Sequence, residues 1–184
     1  FNYDAITVGA LIVNGGDFTV YSNADVTHTA GTAAVVGTVY IDVQAGNATI
    51  TGTMSVNGRG YAGDQGLGKN SANYSGAGHG GGGAHYGGLG TGGSTYGSIT
   101  APVTLGSGGD GASVGGGALR LNVTGNAVVN GQITSDGQAS GNNGGGSGGS
   151  VYLTVGGQLS GTGTVSANGA NSGRGDGGGG RISI

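Results

Sequence analysis

His79 and His85 lie in a glycine run and are the side chains best suited to hold a metal, with Asp64, Asp110 or Asp176 as a third ligand. Zinc needs three or four ligands in a compact set, and two histidines on a glycine arm do not supply one, so no metal is expected. Gly63-Asp64-Gln65-Gly66-Leu67-Gly68-Lys69 has the spacing of a phosphate-binding loop. Asn70 stands where Ser or Thr should meet magnesium, however, and no helix-forming stretch follows. No nucleotide or other cofactor is expected. A polysaccharide-cleaving enzyme would need paired carboxylates. The eight acids are all Asp and scattered, and Asp136 occupies a turn position shared with Asn14, Asn57 and Asn168. Enzyme activity ranks third among the readings, and no catalytic residue is assigned.

Weaker signals surround these. Thr-x-Thr pairs at Thr27/Thr29, Thr49/Thr51, Thr51/Thr53 and Thr162/Thr164 could order water, but the third unit puts Val128, Asn130 and Gln132 there. Thr also simply suits an exposed strand face. Arg174-Gly175-Asp176 spells an integrin tripeptide, and chance accounts for it in a glycine-rich loop. Asn47, Asn73 and Asn122 head glycosylation sequons. Tyr40 and Tyr152 share a repeat position and form the candidate glycan-facing pair.

Those residues must be carried by strands and turns. The chain has 184 residues, 51 of them Gly, and no Glu or Cys. Helix formers are scarce while Gly, Thr, Val, Ser and Asn abound, which favours strand and turn. One Pro and no three-residue Gly period exclude collagen. A net charge of −3 without a basic cluster argues against nucleic acid. No apolar run approaches the ~18 residues of a membrane span. A sequence beginning at Phe1 with no visible leader is expected of a mature, processed chain.

A short motif returns four times, at Gly9–Gly15, Gly52–Gly58, Gly131–Gly137 and Gly163–Gly169. Each copy is a brief apolar strand closed by Asn-Gly or Asp-Gly, a strong turn signal. Before three of the copies runs an alternating strand: Val39, Ile41, Val43; Leu119, Leu121, Val123; Val151, Leu153, Val155. Ile182 and Ile184 open a further copy, and Gly117, Gly149 and Gly180 recur 32 and 31 residues apart. Alternation turns one face inward. The outward sets, Tyr40 and Asp42, Arg120 and Asn122, Tyr152 and Thr154, should stack as ladders.

The expected fold is all-β: a β-solenoid, a parallel β-helix-like stack of short strands with Gly-rich corners and arms. It forms one domain, 1–184. Within it, 1–36 is an N-terminal strand segment and a candidate inter-subunit strand donor, with strands at Phe18–Tyr21 and Ala33–Val36. The first regular repeat is 37–58. A long Gly-rich arm, 59–116, carries a strand near 98–105, and 117–184 are regular repeats ending in an open strand. The arms can serve as positive-φ corners, as close backbone contacts, or as extended polyglycine-like segments bonded to each other.

From about Gly76 onward the chain resembles a glycine-rich β-helical module found in large extracellular and cell-surface proteins of bacteria, protists and plants. The likeness rests on His79 among glycines, Tyr96-Gly97-Ser98, Pro102 and Leu105–Gly109, then Gly115–Leu121 and Gly131–Gly137. It continues through Gly144–Leu153, Val165–Gly169 and Gly177–Ile184. It implies an extracellular or cell-surface location and a structural role, and brings no catalytic residues. The first ~70 residues lie outside it.

These features point to a structural subunit of an extracellular filament or matrix. Its end strands lack polar caps, and a stack that stays monomeric needs them. Head-to-tail strand augmentation is expected to use Ile6, Val8, Leu11, Ile12 and Val13 at one end and Arg181, Ile182 and Ile184 at the other. The partner is the chain itself, with polysaccharide second. The alternative is a cell-surface adhesin or carbohydrate-binding module.

Overall fold

A computed structural model describes residues 6–7, 10–30, 37–70, 72–88 and 90–184. It is all-β, with no α-helix among the described residues and a single 3-10 turn at Tyr86–Gly88. The strands are short and parallel and form three sheets. The first sheet holds β1 (Ile6–Thr7), β4 (Asp25–Thr27), β7 (Thr53–Ser55), β10 (Gln132–Thr134) and β13 (Thr164–Ser166). The second holds β2 (Ala10–Val13), β5 (Val39–Val43), β8 (Ala118–Val123), β11 (Ser150–Val155) and β14 (Arg181–Ser183). The third holds β3 (Phe18–Val20), β6 (Ala48–Ile50), β9 (Ala127–Val129) and β12 (Leu159–Ser160). The chain visits the second, third and first sheets in turn, so each circuit lays down one layer.

Period-two alternation decides which face is buried. Val39, Leu119 and Val151 are in register across β5, β8 and β11, as are Ile41, Leu121 and Leu153. All six are at most 1% exposed. Phe18, Val20, Ile50 and Val129 join them from the third sheet, and Val26, Met54 and Ile133 from the first. The three inward faces thus share one apolar core. The expected outward ladders are present: Tyr40, Arg120 and Tyr152 are in register, and so are Asp42, Asn122 and Thr154.

The corners are held by side-chain ladders that the sequence did not announce. Asp17 Oδ1 accepts from the Asn47 amide at 2.8 Å, Asn47 Oδ1 from the Asn126 amide at 2.9 Å, and Asn126 Oδ1 from the Gln158 amide at 2.8 Å. After the first sheet, Asn57 Oδ1 accepts from the Asp136 amide and Asp136 Oδ1 from the Asn168 amide, both at 2.6 Å. Each carbonyl or carboxylate oxygen satisfies a corner amide of the next layer.

The arms form a second region with different rules. Gly145 and Gly148 donate to Gly175 and Gly178, at 2.7 and 3.0 Å. Gly146 and Gly149 donate to Gln138 and Ser135, at 3.2 and 2.8 Å, and Ser147 donates to Ser107 at 3.0 Å. Every third amide therefore points the same way. A strand alternates between two sides, whereas three directions require three residues per turn, as in an extended polyproline-like helix. Gly76, Ala77 and Gly78 likewise donate to Ala84, Gly145 and Gly68. The extended-segment use of glycine holds here, because neighbouring backbones pack without side chains between them. At Gly144 an added Cβ would overlap the Ser75 carbonyl, and at Gly146 the Val114 carbonyl.

Two expectations are corrected. The Gly9–Gly15 motif is not equivalent to its three look-alikes: β2 pairs with β5 in the second sheet, while β7, β10 and β13 lie in the first. The true counterpart in the first layer is β4, which has no glycine at either flank. No strand forms at 98–105. Ser98 Oγ accepts from the Ala101 amide in a bend and Pro102 has no amide to donate; Ile99 and Val103 face outward while Pro102 and Leu105 are buried. In the N-terminal segment β2, β3 and β4 pair with β5, β6 and β7 of the same chain, and β2 stands at the end of the second sheet's order. Val8 and the strand expected at Ala33–Val36 lie outside the described residues.

Candidate functional site

The outward face of the second sheet gathers the most varied chemistry. On β5, β8 and β11 the alternation that buries Val39, Leu119 and Val151 turns Tyr40, Arg120 and Tyr152 outward. The Arg120 guanidinium carbon lies 4.9 Å from the Tyr40 ring centroid and 5.2 Å from that of Tyr152. Both tyrosines stack on one cation, a contact of roughly 0.5–1 kcal/mol each at an exposed site. Arg120 Nε is buried and meets no acceptor. In the adjoining row, Asn122 Nδ2 donates to Asp42 Oδ1 at 2.6 Å, and Gln44 Nε2 to Asp42 Oδ2 at 3.2 Å. The Asn122 bond, then that from Gln44, holds the Asp42 carboxyl below its usual range.

A segment of the long arm walls this face. Ser150 Oγ donates to the Thr104 carbonyl at 2.7 Å, Arg181 Nε to the Tyr96 carbonyl at 2.9 Å, and Ser183 Oγ to the Thr100 carbonyl at 3.1 Å. Between wall and sheet lies a cleft of about 220 Å³, lined by Thr38, Tyr40, Val103, Ala118 and Arg120 among others. The sequence placed Tyr40 and Tyr152 on one face. It did not single out Arg120, although the shared register position was the signal. Each ring has the Arg120 guanidinium over one face.

The predicted assembly residues divide between the two ends of the second sheet's order. β2 carries Leu11, Ile12 and Val13 at one end, and β14 carries Arg181 and Ile182, followed by Ile184, at the other. Ile6 lies in β1 of the first sheet. Leu11 and Val13 pack against the core, whereas Ile12 is in register with outward Asp42 and is 56% exposed. Ile182 is in register with buried Val151 yet 42% exposed, and Ile184 is 69% exposed. Arg181 Nε donates to the Tyr96 carbonyl of the same chain.

The metal candidates separate. His79 is fully buried: Nδ1 lies 2.8 Å from the Gly148 carbonyl and Nε2 2.8 Å from Thr104 Oγ1. A carbonyl only accepts, so Nδ1 carries the proton and Nε2 accepts from Thr104. Burial pushes the His79 pKa down, opposed in part by the Gly148 bond. Tyr96 stacks beside it at 4.6 Å, and burial pushes the Tyr96 phenol up to about 12. His28, in the first layer, is built alike, with Nδ1 at 2.6 Å from the Thr29 carbonyl and Nε2 accepting from the Ala118 amide at 3.3 Å. Burial lowers its pKa too. Asp64, Asp110 and Asp176 each accept from a local amide, of Gly111, Tyr74 and Ser172. Among the described residues no three His, Cys, Asp or Glu gather for a metal.

Other motifs are absorbed locally. In the phosphate-loop look-alike, the Asp64, Gly68 and Lys69 amides go to Gly109, Ser107 Oγ and Gly66. Arg174 of the integrin-like tripeptide sits 3.9 Å over Tyr74. Of the sequon asparagines, Asn47 and Asn122 are hydrogen-bonded in ladders and Asn73 is exposed. No described helix is long and apolar enough to cross a membrane. No protein-family model, curated protein or solved structure matches this chain.

Proposed function

We propose that the stack is a β-solenoid module of an extracellular or cell-surface fibre, extended end to end by strand pairing between copies. The role is mechanical, with no substrate turned over. The glycine-rich motifs that resemble surface-protein modules support the location.

One observation carries the reading. β1 occupies the first sheet one layer before the first complete circuit, and β14 occupies the second sheet one layer after the last. Among the described residues the two end layers are complementary, one holding a first-sheet strand and the other a second-sheet strand. If they coincide, β14 of one copy supplies the second sheet and β1 of the next supplies the first. β2 of the next copy then pairs with β14, and β1 with β13. All pairings are parallel, as within each copy, and Ile182 and Ile184 lose their exposure. Such a contact is heterologous and does not close on itself, so it grows a filament.

Electron microscopy and sedimentation of the purified chain test this. Filaments with a strand repeat of about 4.8 Å along their axis, lost in an Ile182→Asp/Ile184→Asp variant, are expected. A monomer at all concentrations overturns the reading.

A further inference from the structure

We propose that the cleft beside Arg120 binds a carboxylated saccharide, a uronate unit of an acidic polysaccharide. The inference does not depend on end-to-end stacking, since the cleft belongs to interior strands of one chain.

Arg120 carries the argument. A guanidinium is planar, and stacking occupies its faces while leaving the N–H edge to an acceptor. Tyr40 and Tyr152 both stack with it. The chain supplies no acceptor to Nε, which is buried, and a buried donor without a partner costs roughly 1–3 kcal/mol. The carboxylate of the adjoining row does not fill the role, because Asp42 is engaged by Asn122 and Gln44. The result is a fixed cation at a cleft, short of one planar, two-oxygen acceptor. A carboxylate matches that fork.

The surroundings select a sugar as its bearer. The cleft, at about 220 Å³, has room for one pyranose ring. Val103 and Ala118 offer apolar contact for ring C–H groups, and Thr38 offers hydrogen bonds. Beyond them Asn122 and Thr154 continue a polar row at the strand spacing of about 4.8 Å. A peptide adding as a strand needs a free sheet edge, and β5 and β8 are paired on both sides.

Calorimetric titration of the full chain with oligogalacturonate tests the proposal, beside its methyl-esterified counterpart and free galacturonate. Binding of the acid oligomer is expected, at least tenfold weaker for the ester and weakened by salt. Arg120→Gln should lower affinity at least tenfold. Arg120→Lys, which keeps the charge and loses the fork, should fall between. Competition by free galacturonate assigns the affinity to a single unit, and a failure to compete assigns it to an extended chain along the polar row. Thermal unfolding of each variant confirms the fold. Equal affinity for acid and ester, equal binding by Arg120→Gln with an intact fold, or no binding at millimolar ligand overturns the proposal.

Discussion

The layered sheets and the glycine bundle solve one problem in opposite ways. Both must satisfy backbone amides away from water. In the sheets the amides point to two neighbours, which frees alternate side chains to fill a core with Val, Ile and Leu. In the bundle they point to three neighbours, and side chains have nowhere to go. Ile41 and Leu121 stabilise the first region by what they bury; Gly144 and Gly146 stabilise the second by what they lack. An interior can therefore be packed by apolar volume or by backbone proximity, and the same mutation means different things in each.

The sharpest test adds one methyl group to the bundle. Gly144→Ala forces a Cβ against the Ser75 backbone, and chemical denaturation should show a loss of about 4–5 kcal/mol. Removing three carbons from the core should cost less or no more: Leu121→Ala is expected to lose about 2–5 kcal/mol. If the alanine in the bundle is tolerated within 1 kcal/mol while the core truncation is not, the two regions do not differ as described.

Acid separates the regions next. His79 in the bundle and His28 in the stack are both held neutral, with folded pKa values lowered by burial. Below the ordinary value of about 6.5 the unfolded chain binds protons that the folded chain refuses. Stability is therefore full above that pH and falls as pH drops, by up to about 1.4 kcal/mol per unit for each buried histidine, until the lowered folded value is passed. Thermal unfolding between pH 7.5 and 5 should show this fall. His28→Val should reduce it and keep the stack, because Val56 fills the corresponding position one layer on.

Smaller effects follow at the corners and ends. Asn126→Ala removes the acceptor for the Gln158 amide and should cost about 1 kcal/mol, read by urea unfolding. Ile182→Asp should change the stability of the single copy by less than about 0.5 kcal/mol while abolishing filaments. A large loss of stability there would mean that β14 is buried more deeply than its exposure indicates.

Much of the second sheet was legible. Five residues of clean alternation at Val39–Val43, repeated at Leu119 and Val151, carry face, register and ladder together. The third sheet was legible only at Phe18–Tyr21, where β3 (Phe18–Val20) forms. Its strands span two or three residues, too short for a period, and Asn47 and Asn126 look like ordinary turn formers until the layers are superposed. The Gly9–Gly15 motif misled because Asn-Gly closes any strand, whichever sheet it joins. The 98–105 segment misled because its apolar residues belong to a wall, with Pro102 and Leu105 turned in and Ile99 and Val103 out. Glycine runs name no partner, so the three-way bonding of the bundle could be raised from sequence and not chosen.

The bundle also dictates a schedule. Ala77 donates to Gly145 and accepts from Gly178, so the long arm is synthesised well before the segments that complete it. The early layers can close from near neighbours, but these contacts span loops of roughly 70 to 100 residues, and long-range closure is slow. During synthesis the arm must wait with its amides in water until Gly145 and Gly178 emerge and lock it. Folding is then vectorial: truncation near the C-terminus should leave a formed stack beside an unfinished bundle, and hydrogen exchange should find the arm protected last.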